Sequence, residues 1–318
     1  MSRPMQAAPH AAAGGDHLVI GLVNNMSLRA MRTTERQFRD LLAAAPCRLP
    51  VRLQLFTLHD DRQLGPAQDG TREGYGSIED LQASRLDGLI VTGMEPRAPT
   101  LPEEPAWPNL TRLIDWAAER GIATVWSCLA AHAAVLHLDG IRRVKLPRKL
   151  SGLFECALAA AGHPLASGCP TRWLCPHSRH NGLPEAGLRA AGYDIISASA
   201  EAGIDMFARD AGGARFLFCQ GHPEYGPDVL MREYVRDLRR YLDGESATLP
   251  DIPAHYLDRQ AEQQLRRIAR EADTDTMLAA TQAVARGAAF VRGWQSVASD
   301  IYGNWLAAIV ARRPVMAA

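Results

Sequence analysis

The chain has 318 residues, 47% of them hydrophobic and 22% charged, a balance that excludes a wholly disordered protein and suits one large domain or two modest ones. Basic and acidic residues stand at 35 each, so no net field favours nucleic acid or an anionic membrane surface as a partner. No run of about 18 apolar residues occurs, which excludes a spanning helix.

The start, residues 1–16, is rich in Ala, Gly and Pro and lacks the basic-then-apolar order of a secretory signal; it reads as a disordered lead-in. From there short apolar runs alternate with helical stretches. His17–Val23 is a near-continuous aliphatic run of strand length, the pattern of a strand covered on both faces. A loop at Asn24–Ser27 follows, then an amphipathic helix over Thr33–Ala45 with Phe38, Leu41 and Leu42 on one side. Arg52–Leu58 and Gly88–Thr92 are further strands, Leu110–Arg120 a helix, and Ile122–Trp126 another strand. This alternation predicts an α/β fold with a doubly wound, mainly parallel sheet.

Past Ser151 the text turns to short strands: Leu153–Leu158, Trp173–Leu174, Ile195–Ser199, Ile204–Arg209 and Phe216–Cys219, with Asp210–Gly213 as a hairpin turn. These are expected to add antiparallel strands to the same core. Helices are predicted over Asp228–Leu242, Ala254–Arg286 and Val291–Arg312, with a linker near Gly244–Pro253. The organisation expected is therefore a lead-in at 1–16, a catalytic domain at 17–244 and a helical C-terminal extension at 245–318.

The six cysteines form no C-x-x-C pair, and no His lies at metal-finger spacing; free thiols in a reducing, cytoplasmic compartment and no metal site are expected. One of them, Cys128, sits where an apolar strand runs straight into the Ala/Leu-rich segment Leu129–Leu138. A thiol at a helix N-terminus beyond a strand tip has the position and the field of a nucleophile, although a buried structural thiol reads equally from this segment alone. A second strand, Arg215–Cys219, ends in Gln220-Gly221-His222-Pro223-Glu224. A thiolate needs a base and the base an orienting carboxylate; Cys128, His222 and Glu224 supply those three types. Of the 35 basic residues only Lys145 and Lys149 are lysines, so Lys149 is either a compact charge put to use or a solvated loop residue.

Asp87-Gly-Leu-Ile-Val-Thr-Gly93, the strand-end Cys128, Pro147-Arg-Lys149-Leu-Ser-Gly152, Pro176-His-Ser178-Arg179 and Gly221-His-Pro-Glu-Tyr225 resemble, in order and separation, the homoserine O-succinyltransferase family. The likeness runs with gaps from about Leu18 to Leu242, with a further match at Gly303-Asn-Trp-Leu306. It implies a fold similar to class I glutamine amidotransferases, with Cys128 as acyl-carrying nucleophile, His222 as proton acceptor and Glu224 as its orienting partner. It further implies Lys149, Ser178 and Arg236 as substrate-binding residues.

The activity implied is ping-pong acyl transfer in methionine biosynthesis, with no cofactor and with acyl-CoA and homoserine as small-molecule substrates. Backbone N–H groups at Leu129 and near Gly93 would hold the oxyanion, and a homodimer is the assembly commonly found in the family. Where the family sorts succinyl from acetyl donors this sequence has Met94-Glu95-Pro96-Arg97, placing Arg97 at the sorting position. Arg97 either pairs with a succinyl carboxylate or fills its space and leaves room for acetyl; the cost of a buried unpaired charge favours succinyl. The departure at Asn24–Ser27 from the family's usual text keeps acetyl transfer to homoserine or serine open. A glutamine amidotransferase-like hydrolase and a non-catalytic binding protein of the same fold are the other readings.

Overall fold

Aliphatic runs that cannot face water on either side assemble into the middle of a sheet. The computed structural model describes residues 16–59 and 74–313, so all of the 1–16 lead-in except Asp16 lies outside the described residues. In chain order the strands are β1 (Leu18–Val23), β2 (Val51–Phe56), β3 (Tyr75–Gly76), β4 (Gly88–Val91), β5 (Ala123–Ser127), β6 (Val144–Leu158), β7 (Arg172–Gly182), β8 (Asp194–Ser199), β9 (Gly203–Ala211) and β10 (Ala214–Cys219). They form one sheet in the order β3-β2-β1-β4-β5-β10-β9-β8-β6-β7. The half from β3 to β10 is parallel, and β9, β8, β6 and β7 continue it antiparallel. The expected mixed α/β sheet is what forms.

The helices are α1 (Leu28–Ala44), α2 (Ile78–Ala83), α3 (Trp107–Glu119), α4 (Leu129–Asp139), α5 (Glu185–Ala190), α6 (Val229–Leu242), α7 (Arg259–Glu271), α8 (Thr274–Gly287) and α9 (Gln295–Arg312). Alternate residues of β1 bury to opposite faces, which is why the run is apolar throughout. Leu18, Ile20 and Leu22 pack with Phe38 and Leu41 of α1 and with Ile301, Tyr302 and Trp305 of α9. Val19 and Val23 pack with Leu110, Leu113 and Ile114 of α3 and with the alanines of α4. A third apolar cluster joins Leu153, Tyr225, Tyr234, Tyr256 and Leu265 under α6 and α7. No helix among the described residues is long and apolar enough to cross a membrane.

The structure departs from the sequence reading in four places. The segment holding both lysines is not a loop: it belongs to the 15-residue strand β6, paired to β7 with a register shift between Lys145 and Leu150. An irregularity of that kind re-aims side chains, and Lys149 lies within it. Trp173–Leu174 is part of the 11-residue strand β7. The helix expected over Ala254–Arg286 is two: Asp258 caps α7 by accepting from the Ala261 N–H, and the chain is extended at Ala272 and Asp273 before α8. The last helix, α9, begins at Gln295 and lies in the same core as the sheet: a Cβ at Gly88 of β4 would stand 2.7 Å from Ile309 and 3.1 Å from Trp305. Just beyond it, Arg313 binds both oxygens of Asp87 at 2.9 and 2.6 Å.

Candidate active site

Two adjacent parallel strands, β5 and β10, are in register from Phe216↔Thr124 to Cys219↔Ser127, so their C-terminal tips finish level. The residue after the first tip is Cys128; three residues after the second is His222. Sheet order therefore brings together residues 94 positions apart. Cys128 makes the strand-to-helix turn in one residue, with φ 52 and ψ −114, and α4 starts at Leu129. A non-glycine residue at positive φ costs on the order of 1–3 kcal/mol and persists where the surroundings hold it. Here the Cys128 N–H donates to the Cys219 carbonyl at 2.7 Å, tying the turn to the neighbouring tip. The turn resembles the strained strand-to-helix elbow of hydrolases, built without flanking glycines.

The tip of β4 closes the other side. A Cβ at Gly93 would stand 3.1 Å from the Leu129 nitrogen and 3.2 Å from the Cys128 Cβ, so glycine is what lets these segments approach. The two backbone stretches expected to form the oxyanion site lie against one another. The buried Asn24–Asn25 loop braces them: the Asn25 N–H donates to Thr92 Oγ1 at 2.9 Å, the Thr92 hydroxyl donates to the Gly93 carbonyl at 2.9 Å, and Asn25 Oδ1 accepts from Leu58 N–H.

His222 and Glu224 meet as the sequence implied, Nδ1 to Oε1 at 2.8 Å, each 8% exposed. The His222 N–H donates to the Pro176 carbonyl at 2.7 Å, and the ring stacks on Tyr225 with centroids 4.2 Å apart. Burial disfavours the imidazolium, but the charges of Glu224 and Cys128 and side-chain hydrogen bonding to both raise its pKa well above the ordinary histidine value. The sulfur therefore lies within interaction range of the ring. Two further cations, Arg143 and Arg179, interact electrostatically with the thiol. Burial lowers the pKa of Arg143, against the charges of Glu104 and Cys128, and lowers that of Arg179, against the charges of Cys128 and Asp205.

Across from this turn, β6, β7 and α6 supply a charged cluster. Lys149 Nζ is 2.7 Å from Asp237 Oδ2 and 3.7 Å from Glu233 Oε2. The Ser178 hydroxyl donates to Glu233 Oε2, and the Tyr225 hydroxyl to Glu233 Oε1 at 2.9 Å. Arg236 pairs with Asp237 at 2.8 Å and lies 3.9 Å from Glu233. Burial pushes both acids up, but Lys149 and Arg236 outweigh it and hold the Glu233 and Asp237 carboxyls below their usual range. The structure thus gathers the three residues implied as substrate-binding and adds Glu233 and Asp237, which the sequence reading did not name. Their signal was in the text: 233, 236 and 237 are spaced i, i+3, i+4 on one helix.

Arg97 differs from expectation. Its side chain is exposed, so the cost of burying an unpaired charge does not bear on it. Its backbone N–H is held by both oxygens of buried Glu104 at 3.0 and 3.1 Å. Arg97 helps line a cavity of about 110 Å³ with Asn25, Ser27, His59, Met94, Glu95 and Pro96. Glu95 of that wall reaches Arg240 of α6 at 2.5 Å, linking the loop to the helix that carries the charged cluster.

Comparison with known proteins gives a consistent picture. The family model described as homoserine O-succinyltransferase matches residues 4–315. A homoserine O-succinyltransferase of Rhodopseudomonas palustris is 42% identical over 302 residues, covering 94% of this chain and 90% of that protein. One from Methylorubrum extorquens is 44% identical over 312 residues, covering 95% and 89%. Among solved structures, a glutamine amidotransferase from Thermotoga maritima superposes with a TM-score of 0.51 at 10% identity, over 92% of this chain and 99% of that one, a likeness of fold alone. The chain belongs to the homoserine O-succinyltransferase family.

Proposed function

We propose that this chain transfers a succinyl group from succinyl-CoA to the γ-hydroxyl of homoserine, a step of methionine biosynthesis, through a thioester on Cys128. The observation that carries the reading is the alignment of the β5 and β10 tips, which sets Cys128, His222 and Glu224 in one site. The Cys128 thiolate attacks the succinyl-CoA carbonyl, and the tetrahedral oxyanion collapses to expel CoA thiolate, which takes a proton from His222. One thioester replaces another, so the chemistry needs a placed, ionised sulfur and oxyanion donors more than it needs a large driving force. Neutral His222, oriented by Glu224, then removes the proton of the homoserine hydroxyl as that oxygen attacks the acyl-enzyme. Collapse forms the ester and returns the thiolate.

The charged cluster fits an α-amino acid. Lys149 and Arg236 suit its carboxylate, and Glu233, with Asp237 beside it, suits its ammonium. A glutamine hydrolase has no need of an acceptor site separate from the nucleophile. For the free carboxylate of the succinyl group, Arg97 at the cavity mouth and half-buried Arg143 are the candidate cations.

The test is intact-protein mass spectrometry with succinyl-CoA and no acceptor. The wild type is expected to gain one succinyl group, to keep it on Cys128 in a peptide map, and to release it on addition of homoserine with formation of the O-succinyl ester. An unmodified protein, or one whose acyl group stays on after homoserine is added, overturns the proposal.

A further inference from the structure

Behind the catalytic turn lies a polar cluster that the reaction does not use. Asp205 of β9 and His177 of β7 are both fully buried, with Asp205 Oδ1 and His177 Nε2 3.4 Å apart and neither atom engaged in a hydrogen bond. Asp205 Oδ2 accepts from the Ser197 hydroxyl at 2.8 Å. The atoms of Cys156, His177 and Asp205 lie within 4.8 Å of one another, a spacing that also suits a metal ion. The surroundings of the imidazole argue for a proton instead. Arg179 Nε donates to His177 Nδ1 at 3.4 Å. A neutral imidazole that accepts at Nδ1 carries its hydrogen on Nε2, the nitrogen that lies 3.4 Å from Asp205, whereas a metal at Nε2 would need a lone pair there.

The position of this pair gives it a consequence. The Asp205 carbonyl accepts from the Gln220 N–H at 2.8 Å, one link into the turn that carries His222. At Gly221 a Cβ would stand 2.6 Å from Asp205 Oδ1, 2.6 Å from Cys175 Sγ and 3.0 Å from the Pro176 carbonyl, so the turn rests directly on the carboxylate. Pro176, which accepts the His222 N–H, and Ser178, which binds Glu233, flank His177 on β7. One oxygen of this buried carboxylate, Oδ1, therefore faces both the base-bearing turn at Gly221 and, through His177, the strand of the acceptor cluster, while Oδ2 is held by Ser197.

We propose that Asp205 and His177 form a buried positioning dyad that fixes the Gln220–His222 turn against strand β7, setting the placement of the base relative to nucleophile and acceptor without touching substrate. The inference rests on the assignment of Cys128 and His222 made above. Cys156 and Cys175 complete the cluster, and a side-chain hydrogen bond with Cys156, then burial and the negative charge of Asp205, raise the pKa of the Cys175 thiol well above its ordinary value and keep it protonated. A misplacement of about 1 Å is enough to cost on the order of a hundredfold in rate.

Asp205→Asn tests this, because it keeps the size of the side chain and an acceptor for Ser197 while removing the charge. Assembled sites in the full-length protein are counted by iodoacetamide titration of Cys128, and turnover with succinyl-CoA and homoserine is expressed per titrated site. The expected result is a kcat per site lower by about tenfold to a hundredfold, with KM for homoserine moving less than about threefold. His177→Gln is expected to follow it, and Ser197→Ala, which leaves the charge, to fall the same way by less. A folded Asp205→Asn protein with wild-type kcat per site, its loss confined to thermal stability, overturns the proposal, as does a loss carried by KM alone. Should Asp205→Asn fail to fold, His177→Gln decides by the same readout. Zinc retained stoichiometrically by the dialysed wild type and lost from the variants would also overturn it, in favour of a metal site. A wild type in which Cys128 is not selectively alkylated, or which transfers no succinyl group, fails the underlying assignment instead.

Discussion

The two halves of the candidate site are built by different means. On the nucleophile side the backbone does the work: three parallel strand tips, those of β4, β5 and β10, finish together, a one-residue turn at Cys128 is tied to Cys219, and Gly93 admits Leu129 at close range. On the acceptor side the work falls to long side chains of β6, β7 and α6, whose charges oppose one another across a few ångströms. A backbone-built site tolerates no change of its reacting atom, whose position no neighbouring side chain can restore. A side-chain-built site shares its task among partners, so each loss is partial and falls on one substrate.

The largest effect expected is that of Cys128→Ala, which removes the acyl carrier and should leave less than about one part in ten thousand of the transfer rate. A coupled assay with succinyl-CoA and homoserine checks it, and turnover near the wild-type rate would put the chemistry elsewhere. Next, Glu233→Gln should lower kcat/KM for homoserine by about tenfold to a hundredfold while the burst of CoA release from succinyl-CoA keeps its rate. Equal loss in both half-reactions would dissolve the division between the two halves. Lys149→Ala is expected to act in the same direction by a smaller factor, because Arg236 remains to hold the carboxylate.

The smallest effect concerns stability. The pKa of His222 is raised in the folded protein, so its interaction with Glu224 contributes fully below the ordinary histidine pKa of about 6.5 and is lost as pH rises through the higher folded value. Glu224→Gln should therefore lower Tm by more at about pH 6 than at about pH 9, and calorimetry at the two pH values reads the difference. A gap that widens at the higher pH would mean that the imidazole is not charged in the resting site.

The contrast also explains what the sequence disclosed. Cys128, His222 and Glu224 were legible because each follows an apolar strand whose end is visible as a change of residue type, and strand tips are where open α/β sheets bind ligands. Glu233 and Asp237 carried only the weaker signal of their helical spacing, because an Arg-rich helical text with two acids looks the same whether it faces solvent or a cleft. For Lys149 a used charge and a solvated loop residue read alike, because strand β6 runs Val-Lys-Leu-Pro-Arg-Lys there, a polar stretch whose extended form is imposed by pairing with β7. Arg97 was assigned a buried charge by position in a motif, and side-chain exposure is not written in a motif. The helix break at Ala272 and Asp273 was visible in part, since Asp is a favoured cap, but strong helix formers on both sides masked it.

The packing of Trp305 and Ile309 over Gly88 has a bearing on how the chain is made. One face of β1 and β4 is closed by residues 301–309, and the bidentate Arg313–Asp87 pair fastens that closure. During synthesis from the N-terminus, α1 can cover part of that face early, but the remainder must wait for the last of the described helices before it is shielded from water. A chain that stops short of residue 295 would leave the ribosome with α1 on that face but the rest of it bare, a species prone to aggregation.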